Sequence, residues 1–243
     1  MRLIIHIGTQ KTGSTTIQSF LKLNKKYLLK QGILIPESIA YRESFNHRWL
    51  CSFAYEDNNF DKISVLPEID NLSNLLISEK ISEFREEVKK FDSDLCIISS
   101  EHLPLELKTK EKITKLKNVL EDIFDDIKII IYIRKPLKQA ISLLSTQIKN
   151  GQYINIWYGN YPLKPNKFRR NNNIKRILKL WESNFPKNLV VRIFEQEEFY
   201  ENDLIKDFCK TCRISYKDHF LKPGKANTSL DLRQMQYINY LNK

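Results

Sequence analysis

Residues 8–16 read Gly-Thr-Gln-Lys-Thr-Gly-Ser-Thr-Thr and have the side-chain types needed to hold an anion. Gly13 lets backbone N–H groups come close, the hydroxyls of Thr12, Ser14, Thr15 and Thr16 add donors, and Lys11 adds a movable positive charge. Gly8 and Gly13 keep the glycine spacing of a nucleotide-triphosphatase loop, G-x-x-x-x-G-K-[ST]. Ser14, however, stands where that loop has its lysine, and the lysine of this chain comes earlier, at Lys11.

A second pair with matching chemistry is Arg134 and Ser142, at the end of and just after the apolar run at 127–133. Pro136 fits the first turn of a helix, which puts Ser142 about two turns in. Helical side chains lean back toward the N-terminus, so Ser142 can share an anion with Arg134. A third constellation is Ser99-Ser100-Glu101-His102-Leu103, where Glu101 follows an apolar run and is suited to take a proton. His102 is adjacent but points to the opposite side of an extended chain. His47, after the run at 32–36, is the rival base. His6 lies inside the first run and reads as a core histidine, and no role attaches to His219.

The elements that must position these groups follow from hydrophobic periodicity. Apolar runs at 3–7, 32–36, 95–99, 127–133 and 189–194 read as buried parallel strands. Helical spacing appears between them: Ile17, Phe20, Leu21 and Leu28 after the first run, and Ile113, Leu116, Leu120 and Phe124 before the fourth. Leu137, Ala140, Ile141, Leu144 and Ile148 make one apolar face after the fourth, with Ser142 turned away from Leu144 and Ile148 and Gly151 as a stop. Trp181 and its neighbours precede the fifth run. Alternating strands and helices predict a three-layer α/β/α fold with a mainly parallel sheet, formed by residues 1–243 as one domain. Ligands then bind beyond the carboxyl ends of the strands, which is where the three constellations fall.

Composition bounds the rest. The 243 residues are 42% hydrophobic and 11% aromatic, enough for a core without metal or disulfide support. Cys51 and Cys96 read as packed, and Cys209 and Cys212 as half-buried thiols near a helix end, because no second pair or histidines complete a zinc set. No metal site is expected. The net charge is +11, and residues 164–187 hold eight basic residues against Glu182. Such a segment attracts nucleic acid, anionic lipid, a charged glycan or a phosphorylated cofactor. No apolar stretch approaches a membrane span or signal core, so a cytoplasmic protein is expected, with peripheral membrane contact left open and the oligomeric state unset.

Lys11-Thr12-Gly13-Ser14-Thr15 together with Arg134 and Ser142 resembles the sulfotransferases that use 3′-phosphoadenosine 5′-phosphosulfate (PAPS). The resemblance implies a fold related to P-loop kinases, with K-[ST]-G-[ST]-[ST] on the 5′-phosphosulfate and R-x₇-S on the 3′-phosphate. Residues 6–18, SSEHL, the run from Trp181 to Phe194 and the Asn-Thr-Ser-Leu at 227–230 are similar to the bacterial carbohydrate branch. The family's C-terminal cofactor loop has its counterpart at residues 221–230, with Lys222, Gly224, Lys225 and Asn227 as candidates. The implied reaction moves a sulfuryl group from PAPS to a hydroxyl of a carbohydrate or glycoconjugate and leaves PAP. It needs no metal, and it uses Lys11 with Glu101 or His47 as base. Tyr153, Trp157, Tyr158 and Tyr161 beside the basic segment suit a sugar or a packed lid. Two other readings stand beside it: a P-loop kinase-like phosphotransferase, which would want Mg²⁺ and an aspartate near Lys11, and a basic nucleic-acid-binding protein, which leaves both anion elements unexplained.

Overall fold

The computed structural model describes residues 1–41, 45–55, 66, 72–91, 93–154, 173–224 and 229–243. Five parallel strands form one sheet: β1 (Arg2–His6), β2 (Ile33–Leu34), β3 (Leu95–Ser99), β4 (Asp126–Ile133) and β5 (Leu189–Ile193), in the order β2-β3-β1-β4-β5. All five expected runs are strands. The register is simple, with Ile4 opposite Ile97 and Lys128, and Ile129 opposite Leu189.

Side-chain alternation gives the sheet two buried faces. On one, Leu3, Ile5, Cys96, Ile98, Ile129 and Ile131 meet α2 (Asn74–Lys90), α4 (Lys110–Glu121) and α6 (Ile174–Asn184) through Phe84, Leu116 and Trp181. On the other, Ile4, Ile97, Ile130 and Tyr132 meet α1 (Ser14–Leu29) and α7 (Leu204–Cys212) through Ile17, Phe20, Leu21 and Phe208. This is the three-layer α/β/α fold. Cys51, Cys96, Cys209 and Cys212 are free and buried, the last pair more deeply than its sequence suggests.

A short helix, α3 (Leu103–Glu106), follows β3. The helix after β4, α5 (Pro136–Lys149), packs on α8 (Leu232–Leu241) around Leu144, Ile148 and Met235. Its buried face differs from the one its apolar residues predict. Leu137 is 72% and Ile141 42% exposed, while Gln139, Ser142 and Ser145 are buried. Polar bonds explain the rotation: Gln139 Nε2 donates to Gln10 O at 2.8 Å, and Ser145 Oγ accepts from the Leu230 N–H at 2.8 Å.

The strand order positions the site. β3 and β4 are consecutive in the chain but lie on either side of β1. The turn after β3 and the start of α5 therefore flank the loop after β1, and this crossover is where open parallel sheets hold ligands.

Candidate functional site

The loop after β1 has a conformation that its glycines make possible. Gly13 has φ 75°, and a Cβ there would lie 2.5 Å from Leu204 Cδ2 and 2.8 Å from Phe194 Cε2. A Cβ on Gly8 would lie 2.2 Å from Ser14 Oγ. Lys11 also has positive φ, at 64°. Thr12 is fully buried, and its hydroxyl donates to Thr9 O at 2.6 Å. That hydroxyl closes the loop rather than facing a ligand, unlike its sequence assignment. Thr9 Oγ1 in turn donates to Tyr132 O at 3.1 Å, tying the loop to β4.

Gly13 caps α1 without a side chain. Seven described α-helices run to nine residues or more, and five of these are capped by their own N-cap side chains: Ser73, Thr109, Asn173, Asp203 and Asp231. Of these long α-helices, the two without such a cap are α1 and α5. They start beside Lys11 and Arg134, so the donors of the first turn of α1 stay available to an anion. Ser14 Oγ is buried without a partner, Thr15 is exposed and Thr16 is half-buried. Lys11 is half-buried. Its pKa is lowered, chiefly by burial and then by the nearby charge of Lys149, and a bound anion would offset both effects.

Arg134 joins this cradle from β4. Its Nη1 donates to Lys11 O at 3.2 Å, and its guanidinium lies 5.4 Å from the centre of the Phe194 ring, the ring that also packs on Gly13. Its Nε is buried without a partner. Ser142 Oγ accepts from Ser229 Oγ at 3.1 Å, which brings the end of the 221–230 segment to α5. Lys222 and Gly224 are exposed, whereas Lys225 and Asn227 lie outside the described residues, as do Trp157, Tyr158, Tyr161 and the basic positions at 164–170.

On the other side of the loop, Glu101 Oε2 accepts from Gln18 Nε2 at 2.6 Å and Asn46 Nδ2 at 2.8 Å. Asn46 Oδ1 is itself held by Ser100 Oγ at 2.9 Å. Glu101 Oε1 lies 3.6 Å from His102 Nε2. Burial lowers the His102 pKa, and the adjacent Glu101 partly restores it. His47 is placed differently from its rival role. It is fully buried, Nδ1 accepts from the Ser99 N–H at 3.0 Å, and Nε2 lies 3.0 Å from Pro36 O, which it reaches as a donor. An imidazole with both nitrogens bonded to backbone ties β3 to the end of β2 and has no lone pair to offer a substrate. His6 is buried between Tyr132 and Phe208, with Nδ1 2.8 Å from Ser99 Oγ.

Sequence reasoning missed three amides, Gln18, Asn46 and Gln139. Gln18 carries a readable signal, since it lies in the buried stripe with Leu21 and Leu28 on α1. Among the described residues no group of three or more His, Cys, Asp or Glu could hold a metal ion, and no helix is long and apolar enough to cross a membrane.

Comparison with known proteins gives a match in structure only. No protein-family model matches the chain, and no curated protein does. The structure is similar to a sulfotransferase from Alicyclobacillus acidocaldarius, with a TM-score of 0.52 at 13% identity, covering 98% of this chain and 90% of that one. At this identity the likeness is one of fold. A chain from the PezAT chromosomal toxin–antitoxin system of Streptococcus pneumoniae aligns over 99% of this chain and 84% of its own at 14% identity, but its TM-score of 0.39 is too low to carry weight.

Proposed function

We propose that the chain is a sulfotransferase that moves a sulfuryl group from PAPS to a hydroxyl of a carbohydrate or glycoconjugate. One observation carries the reading: the uncapped starts of two long helices, α1 and α5, are joined through Arg134 and Gln139 to the loop that holds Lys11. Two anion positions side by side suit a ligand with phosphates at both ends of a ribose. The unpartnered Ser14 Oγ and Arg134 Nε fit such a ligand, because each is a donor that lacks an acceptor.

In this reading the first-turn N–H groups of α1, with Lys11, Ser14, Thr15 and Thr16, hold the 5′ end, while Arg134 and Ser142 hold the 3′-phosphate. PAPS supplies a sulfuryl group already bonded to a phosphate leaving group. Lys11 places positive charge where negative charge grows during transfer, the place where such charge lowers the barrier most. Glu101 takes the proton of the acceptor hydroxyl. Gln18 and Asn46 occupy Oε2, so Oε1 is the oxygen free to do so. The acceptor oxygen thus loses its proton to Glu101 as it gains the sulfuryl group.

The test is calorimetry with PAP, ATP–Mg²⁺ and a DNA oligomer, followed by labelled PAPS against a panel of glycans. PAP should bind, and ATP–Mg²⁺ and DNA should not compete. Tighter binding of ATP–Mg²⁺ would favour a phosphotransferase, and salt-sensitive binding of DNA alone a nucleic-acid protein. Lys11→Ala should lower turnover more than PAP affinity, because PAP lacks the group whose transfer Lys11 assists. Unchanged turnover at saturating PAPS would remove Lys11 from the chemistry.

A further inference from the structure

Beyond the phosphate positions, the ends of β4 and β5 hold a second set of unsatisfied groups. The two strands pair up to Ile133 and Ile193, and the Phe194 N–H still donates to Ile133 O at 2.7 Å. The chains therefore leave the sheet side by side, with Arg134 beside Phe194 and Glu195. The Phe194 ring lies under the Arg134 guanidinium, its centre 5.4 Å away.

Glu195 is an unusual neighbour for an anion site. Its side chain is only 10% exposed, and Oε2 is ion-paired with Lys138 Nζ on the first turn of α5. Its other oxygen, Oε1, is buried without a partner, as is Arg134 Nε. The Lys138 bond, then the charges of Lys135 and Arg134, lower the Glu195 pKa, so the group is a carboxylate that only accepts. Three cations against one carboxylate leave this corner net positive, and a phosphate nearby is still favoured.

Arg134 Nε is an unmatched donor and Glu195 Oε1 an unmatched acceptor, the two groups feel each other's charge, and together they restrict what a ligand can present to both. A phosphate oxygen would satisfy Arg134 Nε but meet the carboxylate. An ammonium would satisfy the carboxylate but meet the guanidinium. A hydroxyl accepts from one and donates to the other. We infer that Glu195 and Arg134 Nε bind the ribose 2′-hydroxyl of the nucleotide, next to the 3′-phosphate that the Arg134 guanidinium and Ser142 hold. This rests on the PAPS reading. It makes Glu195 a residue that distinguishes ribonucleotide from deoxyribonucleotide, and it gives that carboxylate a purpose within a basic cradle.

Calorimetric titration of the full chain with adenosine 3′,5′-bisphosphate and with its 2′-deoxy analogue tests the inference without turnover. The wild type should bind the deoxy compound about tenfold more weakly, equivalent to about 1.4 kcal/mol. In Glu195→Ala the preference should fall well below tenfold, to what Arg134 Nε alone supplies, even if both ligands bind more tightly because Lys138 is released. Glu195→Gln, which keeps an acceptor oxygen, should retain part of the preference. Equal binding of the two ligands by the wild type would overturn the inference and leave the PAPS reading intact, as expected if a water bridges the two groups. A preference that survives Glu195→Ala undiminished would remove Glu195 from it. Failure of both bisphosphates to bind would sink the PAPS reading, and the inference with it.

Discussion

The two sides of the loop after β1 treat most of their polar groups in opposite ways. Toward β4 and α5, helix starts go without side-chain caps, and Ser14 Oγ, Arg134 Nε and Glu195 Oε1 are buried without partners. Toward β3, Glu101 is fixed through one oxygen by two amides, one of them held by Ser100, His47 has both nitrogens bonded, and His102 Nε2, 3.6 Å from the other Glu101 oxygen, lacks a hydrogen-bond partner. Leaving buried donors unmatched costs stability, about 1–3 kcal/mol each, and a tightly bound polyanion offsets that cost. A base gains from the reverse arrangement. Its carboxylate must be held still, and neutral amides orient it without protonating it. The open side reads as a binding surface and the closed side as a tool.

The comparison breaks most sharply at Glu101. Glu101→Gln should lower turnover by about 10²–10⁴-fold while PAP affinity and melting temperature change little. A glutamine offers one oxygen to Gln18 and Asn46 and an amide toward His102, so the scaffold survives while the proton acceptor is lost. His47→Ala should behave differently, costing stability because the Ser99 N–H and Pro36 carbonyl are left buried and unpaired. His102→Ala belongs in the same assay. A stable, inactive His47→Ala beside an active Glu101→Gln would reverse the assignment.

On the open side, Arg134→Ala should weaken PAP by about 1.5–3 kcal/mol and AMP, which keeps the 2′-hydroxyl but lacks the 3′-phosphate, by much less. Equal weakening of both would show that Arg134 serves only the loop, through Lys11 O. Isothermal titration of both nucleotides against both proteins settles the difference.

A pH series sharpens the contrast between the two buried histidines. Burial lowers the His6 pKa from 6.5 to about 3 and also lowers that of His47. Between those values the unfolded chain binds a proton at His6 that the folded chain does not. Stability is therefore complete above pH 6.5 and falls as the pH drops toward 3. By pH 5 the loss from His6 is about 2 kcal/mol. Urea titrations of His6→Leu should show a slope against pH shallower by about one proton in this range. An unchanged slope would mean that His6 becomes charged in the folded protein.

The sheet was legible because uninterrupted runs such as Ile129, Ile130 and Ile131 suit a strand covered on both faces. The loop was legible because glycines and hydroxyls at a strand end have few other uses. The α5 face was not, because periodicity assigns burial to apolar side chains, and here Leu137 and Ile141 gave way to Gln139 and Ser145, whose bonds reach residues distant in sequence. His47 was unreadable for the same reason. Its partners, Ser99 and Pro36, are backbone groups that no side-chain pattern announces. Glu195 was overlooked because an acidic residue after a strand is ordinary until its neighbours prove to be cations.

The smallest expected effect separates two serines one turn apart on the buried face of α5. Ser142 Oγ accepts from Ser229 and keeps its own proton to donate, whereas Ser145 Oγ is used by the Leu230 N–H. Ser142→Ala should therefore weaken PAP by about 0.5–1.5 kcal/mol, the net value of one hydrogen bond, with little change in melting temperature. Ser145→Ala should do the opposite, lowering the melting temperature because a backbone donor loses its acceptor, with PAP affinity nearly unchanged. Thermal melts and PAP titrations on the two variants read both quantities. If the serines exchange behaviour, the ligand lies a turn further along α5 and Arg134 cannot share its phosphate with Ser142. If both variants lose only stability, α5 holds the C-terminal segment and nothing else, and the open side of the loop reduces to Lys11, Arg134 and the first turn of α1.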